Sequence, residues 1–162
     1  MADPLAYFIT WTCYGTWLHG DERGSVDLDH NIPGEPLVPT SASRLQREVQ
    51  LLQAAPVRLN DSARRIVTKT IEDHCRIRRW EVLGLNVRTN HVHVVVTAGD
   101  CAPERVMNDF KVWATRRLRE AGLFRHEDRI WTRHGSTRYL NDPAAIEAAV
   151  NYVRERQGAD LD

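Results

Sequence analysis

The stretch His91 to Thr97 reads HVHVVVT, a β-branched run broken only by two imidazoles. Such a run favours a strand, and strand side chains alternate between two faces. His91 and His93 therefore project together, while Val92, Val94 and Val96 point the other way and can bury. Just upstream, Trp80 to Val87 (WEVLGLNV) reads as another strand, and Arg88-Thr89-Asn90 is a tight connection between the two. The pair is expected to form an antiparallel hairpin.

The flanking sequence supplies helices and two further strands. Ala6 to Cys13 is aromatic and β-branched and reads as a strand. Asn60 or Asp61 can cap a helix to about Arg79, with Ala63, Ile66, Val67, Thr70, Ile71 and Cys75 near one stripe. Pro103 opens a second helix to about Ala121, with Val106, Phe110, Trp113 and Leu118 inward and Gly122 as its stop. A short strand is expected around Thr137 to Leu140. A last helix follows, capped by Asn141 or Asp142, with Pro143 in its first turn and its end near Gln157. The order β-α-β-β-α-β-α predicts an α+β, ferredoxin-like layout, an antiparallel sheet with helices packed on one face. Residues 14–60 are rich in Gly, Pro, Asp and Asn and read as a long irregular insertion, with room for a short helix at Ala42 to Ala54.

The length of 162 residues fits one domain, 1–162. Net charge is zero, but it is unevenly spread: residues 1–56 carry 3 basic and 7 acidic side chains, 57–140 carry 17 and 10, and 141–162 carry 2 and 5. The basic middle is almost all Arg, whose planar fork suits phosphate. Three cysteines, Cys13, Cys75 and Cys101, lack CxxC or CxxH spacing, which argues against a disulfide framework or a zinc site. No apolar run approaches the roughly 18 residues of a membrane span, so a cytoplasmic protein with no membrane partner is expected.

Two imidazoles on one strand face can offer nitrogens to a single divalent cation, but a third side chain, water or substrate oxygens must complete its sphere. Two other phosphate chemistries begin with similar residues. A histidine-triad hydrolase needs a third His at the next alternate position, where this chain has Val95, and a two-histidine phosphoesterase needs two separated His-x-Thr/Ser motifs, which are absent.

The strand YFITWTCYGTW, the strand-borne NHVHVVV, the helix carrying Lys111, and Trp131 followed by a short strand and a helix containing NYV together resemble the REP-associated tyrosine transposases, a branch of the single-tyrosine HUH transposases. The resemblance spans nearly the whole chain except residues 14–60. It implies the HUH endonuclease fold, with His91 and His93 as ligands of Mg²⁺ or Mn²⁺ and Tyr152 as the nucleophile. It further implies that Tyr152 attacks single-stranded DNA at REP-like hairpins to give a 5′-phosphotyrosine, so that strands are cut and rejoined. Phenols ionise only near pH ~10, so a nearby cation would assist. The family often carries Asn or Gln four residues past the tyrosine. Here that position is Arg156, which cannot bind a cation, so Glu155 and then Gln157 are the expected third ligands. Tyr139, on the strand before, is the competing nucleophile.

The resemblance singles out Lys111 as a phosphate-backbone contact. Arg64 and Arg65 on the first long helix and Arg116 and Arg117 on the second are further candidates, although acids on both helices also fit ordinary solvated faces. Tyr14 and Trp17 are candidates to stack on unpaired bases. The family contains dimers as well as monomers, so a homodimer is an open expectation. Two rival readings keep the same fold: a replication-type HUH nickase, and a domesticated hairpin-binding protein without catalysis.

Overall fold

The computed structural model describes residues 4–16 and 56–155. Expectations for Trp17, the bulk of the 14–60 insertion, the Ala42 to Ala54 helix, Arg156 and Gln157 lie outside these residues. Seven elements follow in the expected order: β1 (Ala6–Cys13), α1 (Asp61–Arg78), β2 (Glu81–Val87), β3 (His91–Thr97), α2 (Pro103–Glu120), β4 (Trp131–Leu140) and α3 (Pro143–Glu155).

Local chemistry sets the helix limits. The side-chain oxygen of Asn60 accepts from the Ala63 amide at 2.8 Å, capping α1. Arg79 ends it in a left-handed turn at φ 61°, its N–H returning to the carbonyls of Cys75 and Arg76. Pro103 starts α2, and Gly122 follows its end at φ 76°. Asp142 accepts from the Ala145 amide at 2.8 Å and caps α3.

The sheet order is β2-β3-β1-β4, with every neighbouring pair antiparallel. The β2–β3 hairpin turns through Arg88-Thr89-Asn90 as expected, closed by the Arg88 amide on the His91 carbonyl at 2.8 Å. Both inner strands are covered on two sides. On one face, Ile9, Trp11, Val92, Val94 and Val96 pack against Val67 and Ile71 of α1 and Val106, Phe110 and Leu118 of α2, all fully buried. On the other, Ala6, Phe8, Val95 and Leu140 meet Ile146, Ala149, Val150 and Val153 of α3.

Three expectations need correction. The helices do not share one face: α3 takes the side opposite α1 and α2, because its apolar stripe matches the second-face residues Ala6, Val95 and Leu140. Trp113 does not point inward. It is 37% exposed, and Ala114 fills the core in its place. The fourth strand runs from Trp131, not from Thr137. Its early half looks too polar for a strand, yet it is held by pairing with β1 and by α2. Trp131 Nε1 donates to Thr115 Oγ1 at 2.9 Å, and Lys111 Nζ donates to the carbonyls of Thr132 and His134 at 3.0 and 3.4 Å.

Gly135 shows how closely α2 and β1 press on β4. A Cβ there would run into the Thr10 carbonyl oxygen and, at 2.7 Å, the Met107 sulfur. Gly135→Ala is expected to destabilise the protein by about 1–3 kcal/mol through overpacking. Urea unfolding checks this, and unchanged stability would contradict the β1–β4 register.

Candidate active site on the second sheet face

Alternation and register decide what stands beside the two histidines. Thr10 pairs with His93, Thr12 with His91, and Asn86 with His93, so these side chains share the face that α3 occupies. On β4, Ser136 is opposite Thr10 and Arg138 opposite Phe8. The face is thus divided. Its apolar half lies beneath α3, and its polar half is centred on the histidines beside Tyr152.

The two imidazole rings stand edge to face, with centroids 4.6 Å apart. Both residues are buried, at 3% and 8% exposure, and both rings are fixed by oxygen partners. His91 Nδ1 donates to the Asn90 side-chain oxygen at 2.8 Å, and His93 Nδ1 pairs with Thr10 Oγ1 at 2.9 Å. With Nδ1 protonated, the lone pair of each neutral ring lies on Nε2, as metal-ligating histidines with an outer partner show. Burial, then the neighbouring His91 and the Arg88 guanidinium, push the His93 pKa down to about 4. The ring is therefore neutral at pH 7, the state in which imidazole binds metal.

Tyr152 of α3 reaches this pair. Its ring packs edge-on against His93 with centroids 5.7 Å apart and tilts against Phe8 at 5.8 Å. It remains 39% exposed, so the phenol is open to a strand approaching from solvent. Tyr139 lies on the opposite face, edge-on to Tyr7 at 5.5 Å. It is separated from the histidines by the sheet.

The other sequence candidates lie apart from this group. Glu155 is one turn beyond Tyr152 and exposed. Among the described residues, no three His, Cys, Asp or Glu side chains gather closely enough to hold one ion. Arg64 and Arg65 line a groove along α1 with Asp61, Thr68, Lys69 and Glu72. Arg64 also donates to the Val87 carbonyl at 3.0 Å. Arg116 covers the Trp113 ring at 5.2 Å, and Arg117 sits beside it near the end of α2. Lys111 is buried, its ammonium on the β4 carbonyls and its pKa lowered by that burial to about 8. Tyr14 is half-buried under the Arg129 guanidinium at 5.1 Å. All of the α1 and α2 candidates belong to the helix layer across the sheet from His91 and His93.

Sequence reasoning missed Phe8, Thr10, Asn86, Arg88 and Arg138 as neighbours of the site. Period-two alternation places Phe8 and Thr10 on one face of β1, but only the pairing register sets that face beside His93.

The fold is that of the HUH endonucleases, an open antiparallel sheet carrying a strand-borne histidine pair and a helix-borne tyrosine on one face. The chain belongs to the IS200-like transposase family: residues 55–156 match the family described as "Transposase IS200 like". A solved structure described as a REP-associated tyrosine transposase bound to a REP hairpin is similar in fold, with a TM-score of 0.53 at 15% identity. The match covers 94% of this chain and 66% of that one, so the chain spans just under two thirds of that protein's length. Comparison with curated proteins gives no match. Among the described residues, no helix is long and apolar enough to cross a membrane.

The depressed His93 pKa sets a pH dependence. Below pH 6.5 the unfolded chain takes up a proton that the folded chain refuses until about pH 4. Stability is therefore full above pH 6.5 and falls as pH drops towards 4, by about 3 kcal/mol in all. His93→Gln should flatten this part of the profile in chemical unfolding at pH 7, 5.5 and 4. An equally steep loss in the variant would assign the effect elsewhere.

Proposed function

We propose that the protein is a divalent-metal-dependent, single-stranded DNA transposase that cuts and rejoins strands beside REP-like hairpins, with Tyr152 as nucleophile. The carrying observation is the edge-on contact of Tyr152 with His93, which puts a part-exposed tyrosine beside two buried imidazoles, of which His93 is held neutral by its lowered pKa. Membership of the IS200-like family and the fold shared with a hairpin-bound REP-associated transposase support the same reading.

The donor set fits a divalent cation. His91 and His93 would hold it through Nε2, with Asn90 and Thr10 fixing the rings behind them. Imidazole suits Mn²⁺ better than Mg²⁺, which prefers all-oxygen spheres. The remaining positions fall to oxygens of substrate and water and to a donor from the end of α3, Glu155 before Gln157. When bound, such an ion would polarise the non-bridging oxygens of the scissile phosphate and offset charge in the transition state.

The protein's own part is nucleophilic. The Tyr152 oxygen attacks phosphorus in line, its proton passing to solvent, and a P–O bond to the phenol forms as the bond to the 3′ oxygen breaks. The leaving oxygen takes a proton and becomes a 3′-hydroxyl, while the 5′ side stays linked to Tyr152. The link conserves the phosphodiester, so reversal on a different 3′-hydroxyl joins strands without a nucleotide cofactor. Arg138, exposed on the same face beside Phe8, would be the cation available to an approaching strand.

Incubation with labelled hairpin DNA and Mn²⁺ should give a covalent adduct that survives denaturing electrophoresis. Tyr152→Phe should abolish it, and His91→Ala or His93→Ala should lower its rate by at least ~100-fold. Tyr139→Phe should leave it intact. Hairpin binding without any adduct would instead mark a non-catalytic binding protein, the reading that the two-donor cluster leaves open.

A further inference from the structure

We propose that Asn86 is a positioning residue that fixes the tyrosine helix against the histidine strand. This rests on the nuclease reading given above. Asn86 stands directly across from His93 in the β2–β3 ladder, on the same face. Its side-chain amide Nδ2 donates to the main-chain carbonyl of Val153 at 3.1 Å. Val153 is the residue after Tyr152, in the last described turn of α3. A single side chain on β2, the strand paired with the histidine strand, thus ties the sheet directly beside His93 to the backbone next to the nucleophile.

Among the described residues, the apolar part of the α3 seat gives no such directional contact. Ala149 and Val153 rest on Ala6, Val95 and Leu140, an apolar surface. Next along β2, Gly84 offers bare backbone to the helix; a Cβ there would only touch Val150 and Val153 at 3.7–3.8 Å. Hydrophobic contact is non-directional and tolerates sliding along the helix axis. A slip of one residue moves every side chain by about 1.5 Å, and an error near 1 Å is enough to impair an in-line attack. The hydrogen bond from Asn86 is the directional contact that sets the axial position.

The test uses the full chain with Asn86→Leu, which removes the donor while keeping volume and adding no charge, and Asn86→Ala should the leucine disturb packing. Amide exchange in the α3 peptide should quicken about three- to tenfold. Adduct formation at saturating hairpin DNA should slow about tenfold, with hairpin affinity unchanged within about twofold. Unaltered α3 exchange would overturn the proposal, as would rate and affinity falling together with global stability, since that pattern marks a merely structural residue. The exchange readout needs no catalysis. A wild-type protein that forms no adduct, yet whose α3 loosens on substitution, would keep the latch and remove the nuclease.

Discussion

Everything in this molecule hangs on one strand being buried on both sides. β3 is central, and its valines seal the core under α1 and α2 while its other face carries two imidazoles and Val95. Burying polar rings is costly unless they are hydrogen-bonded. Thr10 and Asn90 meet that requirement, the Asn90 side-chain oxygen accepting from His91 Nδ1 and Thr10 Oγ1 pairing with His93 Nδ1. Fold stability and site chemistry therefore draw on the same few contacts. β3 cannot slip in register without also moving its histidines to the wrong face.

The second face is divided between an apolar and a polar half. α3 covers the apolar half, and Tyr152 falls at the boundary, packed on Phe8 and His93 and 39% exposed. A helix wholly inside the apolar zone would bury its phenol, and one further out would lose the imidazoles. The cations follow a different plan. Arg64 pairs with Asp61 at 3.7 Å, Arg76 with Asp73 at 3.2 Å, and Arg78 and Arg116 lie over Trp80 and Trp113. The basic middle of the sequence is largely spent within the helix layer, on the far side from the histidines.

The HVHVVVT alternation made β3, its shared histidine face and its valine core readable from sequence, because a period of two is a local property. The caps at Asn60, Pro103 and Asp142 were readable for the same reason. The length of β4 was not. Thr132, Arg133, His134 and Gly135 carry no strand signal of their own; Gly135 is held by its pairing with Trp11, and Thr132 and His134 by Lys111 reaching across from α2. The face taken by α3 was also hidden, since an amphipathic stripe states that a helix packs but not on what. Lys111 shows the limit most clearly. Its residue type invites a phosphate, while its surroundings hold it on two backbone carbonyls.

The electrostatics of His93 narrow what the imidazoles can do. Its lowered pKa of about 4 makes it a weak base. So weak a base is poorly suited to general-base catalysis at neutral pH. The same burial and neighbouring charge that weaken it as a base keep its lone pair unprotonated across the physiological range, which is what a metal ligand requires. In the proposed reading the strand histidines would bind and orient while the helix tyrosine reacts.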